Sequence, residues 1–380
     1  MGKTMEQSQY IRRAEVSTTV PVAAAEELSK ALAQENMAGV IFFCSADYDP
    51  DALAEALESH FDCPVVGCTA AGEIGSTYQT GGVVGMSFSS EMFRVHPVLI
   101  ESLSTFDATR ARDLATNLEE GLEFSSCLDP SEMFGVLLID GLSGMEEPVV
   151  ANLFPAIQRV PLIGGSAGDS MNFAETRVYS DGKFRTGVAL LLLVETKLEF
   201  QTFKLQHFEP SDIDMVITSA DPETRTVYEI DGGPAAEEYA ELLGLELDAL
   251  VPQVFSKYPV MLQIGEEWYV RSIQKVNEDG SLTFFCAIEE GLPLTVAKGV
   301  GFVETLSAKV EELKSEFKRI DCTLGFDCTL RRLEMLESGH QKPVENLLKE
   351  LNFIGFSTFG EQFNAIHINH TLSGVILGAK

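Results

Sequence analysis

Val65-Val66-Gly67-Cys68-Thr69-Ala70-Ala71-Gly72-Glu73 ends an apolar run on a glycine turn, and the chain does so twice more. The other copies are Leu162-Ile163-Gly164-Gly165-Ser166-Ala167-Gly168-Asp169 and Phe353-Ile354-Gly355-Phe356-Ser357-Thr358-Phe359-Gly360-Glu361. The first and third place four residues between their outer glycines; the second places three and ends in Asp. A strand that ends the same way three times marks a repeated supersecondary unit.

Around each turn the pattern widens in the same order. An apolar strand and a helix precede the first copy (residues 39–44 and 51–59), the second (135–140 and 146–158) and the third (322–328, then 330–336 and 344–351). A further strand follows each turn, at 82–88, 187–192 and 374–378. Helices with apolar spacing of three and four come before each unit, at 24–33, 111–122 and 306–317. The unit is therefore helix–strand–helix–strand–turn–strand, an α/β class forming mixed sheets covered by helices. Its first two strands are expected parallel through a right-handed crossover, and its third antiparallel. Residues 198–203 and 215–218 read as strands before a boundary near 222, and 227–230, 260–264, 268–274 and 282–287 as strands of a β-rich insert beyond it, with a helix at 234–243. The expected organisation is an N-terminal segment (1–24), a domain of two pseudo-repeats (25–221), and a domain holding the insert and third repeat (222–380).

Composition narrows the function classes. The 380 residues are 45% hydrophobic, enough for large cores. The longest apolar run, 187–194, suits a buried strand and not a membrane span. Residues 1–13 are polar and lack a signal-peptide core, so a cytoplasmic location without membrane insertion is expected. A net charge of −31 argues against nucleic acid and favours a basic patch on any partner. Seven cysteines without a C-x-x-C pair read as reduced and mostly buried.

The turns Val66 to Ile74, Ile163 to Asp169 and Gly355 to Glu361 resemble the signature turns of the FIST family. So does Tyr228-Glu229-Ile230-Asp231-Gly232-Gly233-Pro234-Ala235. The resemblance spans about residues 25 to 378 and implies paired FIST N and FIST C domains that sense a ligand inside the cell and feed signal transduction. The terminal segment Ile366-His367-Ile368-Asn369-His370-Thr371 is similar to that of the nitric-oxide-sensing haem branch, the NosP type. That similarity implies haem b on His367 and action on a partner histidine kinase or cyclic-di-GMP enzyme. His370 is an addition to the pattern. The chain is compatible with a homodimer.

The residues admit two readings at most positions. In an extended segment His367 and His370 point to opposite faces; a neutral imidazole in an apolar pocket can hold haem iron, or it can be a satisfied core histidine. Phe356 and Phe359 would supply apolar walls. Arg331 would pair with a propionate or another carboxylate ligand, with Arg332 beside it as a solvated residue or the reverse. His60, His96, His207 and His340 are expected at the surface. The glycine turns either permit a sharp strand exit or lend amides to an anion. Glu73, Asp169 and Glu361 recur at equivalent places, which suits a shared structural job better than acid–base catalysis. Gly141-Leu142-Ser143-Gly144 falls one residue short of a nucleophile elbow. No enzyme is expected. The alternative to a haem sensor is a haem-free receptor for a small metabolite such as an amino acid, built from turn amides and one arginine.

Overall fold

In this computed structural model, which describes residues 3–4 and 8–380, each glycine turn hands the chain from one sheet to another. The first unit comprises β1 (Ile11–Val16), α1 (Pro21–Leu32), β2 (Met37–Ser45), α2 (Pro50–His60), β3 (Val65–Ala70), β4 (Glu73–Ile74) and β5 (Val83–Ser89). The second comprises β6 (Phe93–Ile100), α3 (Ala108–Gly121), β7 (Met133–Ile139), α4 (Glu146–Ala156), β8 (Leu162–Ser166), β9 (Val178–Ser180) and β10 (Ala189–Thr196). The third opens with β11 (Glu199–Leu205) and is then interrupted. The insert holds β12 (Phe208–Asp221), β13 (Thr226–Ile230), α5 (Ala235–Leu243), α6 (Pro252–Lys257), β14 (Val260–Ile264), β15 (Glu267–Arg271), β16 (Ile273–Val276), β17 (Leu282–Phe284) and β18 (Pro293–Gly299). The third unit resumes with α7 (Phe302–Glu316), β19 (Arg319–Cys328), α8 (Thr329–Glu337), α9 (Gln341–Glu350), β20 (Phe353–Thr358), β21 (Glu361–Phe363), β22 (Ile366–Ile368) and β23 (Leu372–Ala379).

The expected unit is present three times. β2 and β3, β7 and β8, and β19 and β20 are parallel, while β5, β10 and β23 return antiparallel beside β2, β7 and β19. Each unit also has a leading strand, β1, β6 or β11, paired antiparallel to its closing strand. Two of these strands, β1 and β6, were not expected: Arg12, Arg13 and Glu15 break the apolar pattern of Ile11–Val16, and Pro97 interrupts that of Phe93–Ile100. Residue 222 lies in the turn between β12 and β13.

The free edge of each sheet is closed by a segment borrowed from another unit. β4 of the first unit pairs with β20 of the third, placing Phe356 opposite Glu73. β21 of the third pairs with β8 of the second, placing Gln362 opposite Gly164. β9 of the second pairs with β3 of the first, placing Tyr179 opposite Gly67. The exchange is cyclic, so the three sheets surround one apolar core. In it Phe43 of the first sheet stacks on Phe356 of the third at 4.4 Å, with Val136, Leu138 and Ile163 contributed by the second. Helices cover the outer faces: α1 and α2 on the first sheet, α3 and α4 on the second, α7 to α9 on the third. The insert has a core of its own around Ile217, Tyr239 and Phe255. No helix among the described residues is long and apolar enough to cross a membrane.

Close strand approach explains the first glycine of each turn. A Cβ at Gly67 would lie 2.3 Å from the Phe42 carbonyl, one at Gly164 1.9 Å from that of Leu137, and one at Gly355 1.8 Å from that of Gly325. Gly164→Ala is therefore expected to lower stability by about 2 kcal/mol or more in urea denaturation, since two paired backbones must separate. An unchanged midpoint would mean that the strands do not approach this closely.

Candidate functional site

The three turns converge where the parallel strands end, and they bind one another through the backbone. The Ala71 amide donates to the Ser357 carbonyl at 2.9 Å, and the Ser357 amide to the Gly72 carbonyl at 2.7 Å. The Ser166 amide donates to Gly360 at 2.8 Å, Phe359 to Ser166 at 3.2 Å, and Gly168 to Thr69 at 3.0 Å. These amides are spent on the junction and are not available to cradle an anion. An aromatic cap sits over it, with Phe173 5.1 Å from Phe359 and 5.7 Å from Phe285 between ring centres. Phe359 is thus part of the cap, and Phe356 lies in the central core against Phe43 and Phe326.

The recurring carboxylates serve the turns. Asp169 accepts from the amides of Asn172, Phe173 and Ala174 at 2.8–3.0 Å. Glu361 is bonded by the hydroxyls of Thr358 and Thr371 and by the Thr371 amide at 3.2 Å. Glu73 accepts from the Gly82 amide at 3.2 Å, and its other oxygen is buried without a partner. Burial pushes the carboxyls of both Glu73 and Glu361 up to about 8.

His367 and His370 are both fully buried. The Nδ1 of His367 lies 3.2 Å from Gln362 Nε2, which also donates to Ser166 at 3.0 Å; the His367 carbonyl accepts from Arg271 at 3.3 Å. Burial holds the His367 imidazole below its usual range, against the pull of Glu147 and Glu146. Nε2 has no hydrogen-bond partner, the one feature an iron ligand would share. However, the ring is pressed onto Gly360, where a Cβ would lie 2.3 Å from Cε1 and 2.7 Å from Nε2. A porphyrin needs a pocket of roughly 300 Å³ or more, and the clefts lined by Arg332, Arg225 and Trp268 do not include His367 in their walls. The residues around His367 do not fit haem.

His370 has a left-handed backbone (φ 54°) and an edge-on contact with Phe208 at 5.1 Å. Its imidazole is held well below its usual range by burial, then by the neighbouring His207 and Arg331. His207, expected at the surface, is 3% exposed and contacts Glu334 at 3.0 Å. Burial lowers its pKa too. Among the described residues no group of three or more His, Cys, Asp or Glu side chains could hold a metal ion.

Consecutive residues of α8 lead to different fates, because a helix turns about 100° per residue. Arg331 is fully buried, with Nη1 2.8 Å from Asp327 and its guanidinium 4.3 Å above the Phe302 ring. The Tyr78 hydroxyl donates to the other Asp327 oxygen at 2.5 Å. Arg331 is thereby committed to an internal ion pair, away from the cleft. Arg332 points the other way and packs on turn one. It donates to the Ala71 carbonyl at 2.9 Å and the Gln79 carbonyl at 3.4 Å, and its buried Nε has no partner. Gly72 (φ 154°) makes room, since a Cβ there would lie 1.5 Å from Nη1. Burial lowers the Arg332 pKa, although a guanidinium stays protonated. Among the described residues it forms no ion pair. It lines a cleft of about 170 Å³ with Ala71 and Thr80 of unit one, Ser170 and Met171 of unit two, and Thr329, Leu333 and Leu336 of α8.

Two domain families match this chain: FIST N domain over residues 38–233 and FIST C domain over residues 235–364. An uncharacterized protein of Methanocaldococcus jannaschii is 33% identical over 255 residues, covering 57% of this chain and 48% of that protein. The chain thus spans about half the length of this curated relative.

The buried ionisable groups set the pH dependence of stability. Glu73 and Glu361 titrate near 8 when folded against an ordinary 4.5, so the native state binds more protons than the unfolded chain between those values. Stability therefore falls as pH rises toward about 8. His207, His367 and His370 are depressed from 6.5, so they cost stability only as pH drops below that value. Between pH 6.5 and 8 the carboxyls act alone among these groups, each contributing a loss of up to about 1.4 kcal/mol per pH unit. Glu361→Gln, neutral at every pH, is expected to remove roughly half of that loss in urea denaturation. Equal slopes for the variant and the parent would overturn the assignment.

Proposed function

The chain belongs to the FIST family of sensory, ligand-binding signal-transduction domains, and from that premise we propose that it is a haem-independent receptor for a small organic anion. The observation that carries the reading is Arg332: a mostly buried guanidinium on the wall of a cleft, hydrogen-bonded to two backbone carbonyls, 5.8 Å from the centre of the Tyr78 ring and, among the described residues, without a carboxylate partner. A guanidinium has five donors in a planar fork that matches a carboxylate, and the two carbonyls leave part of that fork unused. The cleft lies at the carboxyl ends of β-strands where three loops meet, a common position for ligands in α/β folds. No turnover is assigned to the site.

The same helix supplies a route for a signal. Beyond Arg332, α8 bears Glu334, paired with His207 at the start of the insert, and Glu337, paired with Lys257 of α6 at 3.0 Å. A ligand drawn to Arg332 acts on a helix that grips the insert. Binding would change the conformation of α8 only to the extent that the ligand's affinity differs between the bound arrangement and another one. The recipient, a histidine kinase or a cyclic-di-GMP enzyme, is expected to meet this acidic chain through a basic patch.

The test is thermal unfolding of the purified chain with millimolar acetate, succinate, 4-methylpentanoate or leucine, each against matched sodium chloride. At least one carboxylate should raise the melting temperature of the parent, because it binds only the folded state, and the shift should vanish in Arg332→Gln. Shifts that persist in the variant, or none with any carboxylate, would sink the proposal. So would protein from haem-replete cells with a Soret band that His367→Ala abolishes.

A further inference from the structure

We propose that the Arg332 cleft selects a monocarboxylate with a short apolar tail and rejects the corresponding amino acid. The inference rests on the cleft being the ligand site and names the class of ligand it takes. The composition of the walls carries it. Arg332 is their one charged side chain, and none of the lining residues is acidic. An α-ammonium lies beside its own carboxylate, so a bound amino acid would bring that ammonium next to the guanidinium with no anion to receive it. Repulsion between like charges held that close, in a cleft partly open to water, costs a factor of about ten or more in affinity.

Glu73 is the carboxyl that acts on Arg332 from behind, and it does not alter the count. It is 1% exposed and is not part of the cleft wall. Burial pushes its carboxyl up to about 8, which favours the neutral form and weakens Glu73 as a countercharge for the guanidinium. Asp327 is bonded to Tyr78 and to Arg331, and the Tyr78 ring, 5.8 Å from the Arg332 guanidinium, is neutral.

The polar and apolar walls divide the ligand into a head and a tail. The Thr329 hydroxyl is directed at the Met171 sulfur at 3.3 Å, which leaves the hydroxyls of Thr80 and Ser170 to assist Arg332 at the head. Met171, Leu333 and Leu336 offer the tail a hydrocarbon surface continuous with the aromatic cap through Phe173. A single guanidinium in a chain of net charge −31 suits one negative charge better than the two of a dicarboxylate or phosphate.

The experiment compares three molecules on the full chain by titration calorimetry: 4-methylpentanoate, leucine, which adds only the α-ammonium, and 3-methylbutylamine, which lacks the carboxylate. The acid should bind, leucine should bind at least about tenfold more weakly, and the amine should give no heat. Binding of the acid should be lost in R332Q. As a second variant, S170D puts a carboxylate into the wall at an exposed position; it should weaken the acid and strengthen leucine. Leucine binding as tightly as the acid, with both dependent on Arg332, overturns the selectivity and leaves the cleft standing as the site. If neither binds, or R332Q changes nothing, the cleft itself is excluded.

Discussion

Everything in this molecule depends on three backbone turns that hydrogen-bond to one another instead of to solvent or to their own strands. Each turn ends a parallel strand and sends the next segment to a different sheet, so none of the three sheets is complete without another unit. An edge strand left open would expose unpaired amides and carbonyls; here β4, β9 and β21 satisfy those edges in a ring. The cyclic exchange makes one core out of three pseudo-repeats, and the stacked Phe43 and Phe356 rings lie where two of the sheets face each other.

The junction tolerates glycine for two different reasons. The first glycine of each turn lets two strands touch, and the equivalent contacts are made in all three units. The last glycine of turns one and three, both at φ 154°, admits a side chain from elsewhere: Arg332 against Gly72 and His367 against Gly360. The pseudo-equivalent places have diverged. Around His367 the insert closes the site, with Arg225 paired to both Glu146 and Glu147 and Arg271 on the His367 carbonyl. Around Arg332 no such cover is present, and the cleft stays open beside a cation. A buried charge without a counterion is costly unless the site is shaped for something that supplies one, which is the physical basis for reading this place as the site of binding.

The histidine segment illustrates how sequence similarity and local packing can point in different directions. Its pattern implies an iron ligand, and an imidazole nitrogen without a partner is indeed present. The Cε1–Nε2 edge of the ring nevertheless abuts the glycine of its own turn, and Nδ1 is tied through Gln362 to Ser166 on the neighbouring unit. Its place in this fold is a brace between the third turn and the second. Likewise Arg331, the more prominent of two adjacent arginines by position, is consumed by Asp327, and the less conspicuous Arg332 reaches the cleft.

From its residues alone the chain determined the repeated unit, the direction of its strands, the helices that cover them and the special role of the glycines, because all of these follow from local periodicity and backbone sterics. The leading strands β1 and β6 were not legible, since Arg12, Arg13 and Glu15 break the apolar pattern of the first and Pro97 interrupts the second. Which sheet each turn would join, which arginine would meet a cavity, and whether His367 would have space beside it were decided only by tertiary structure. Those outcomes depend on contacts between segments hundreds of residues apart, such as Ala71 with Arg332, and on one-residue differences in helical facing. Local pattern carries no information about either.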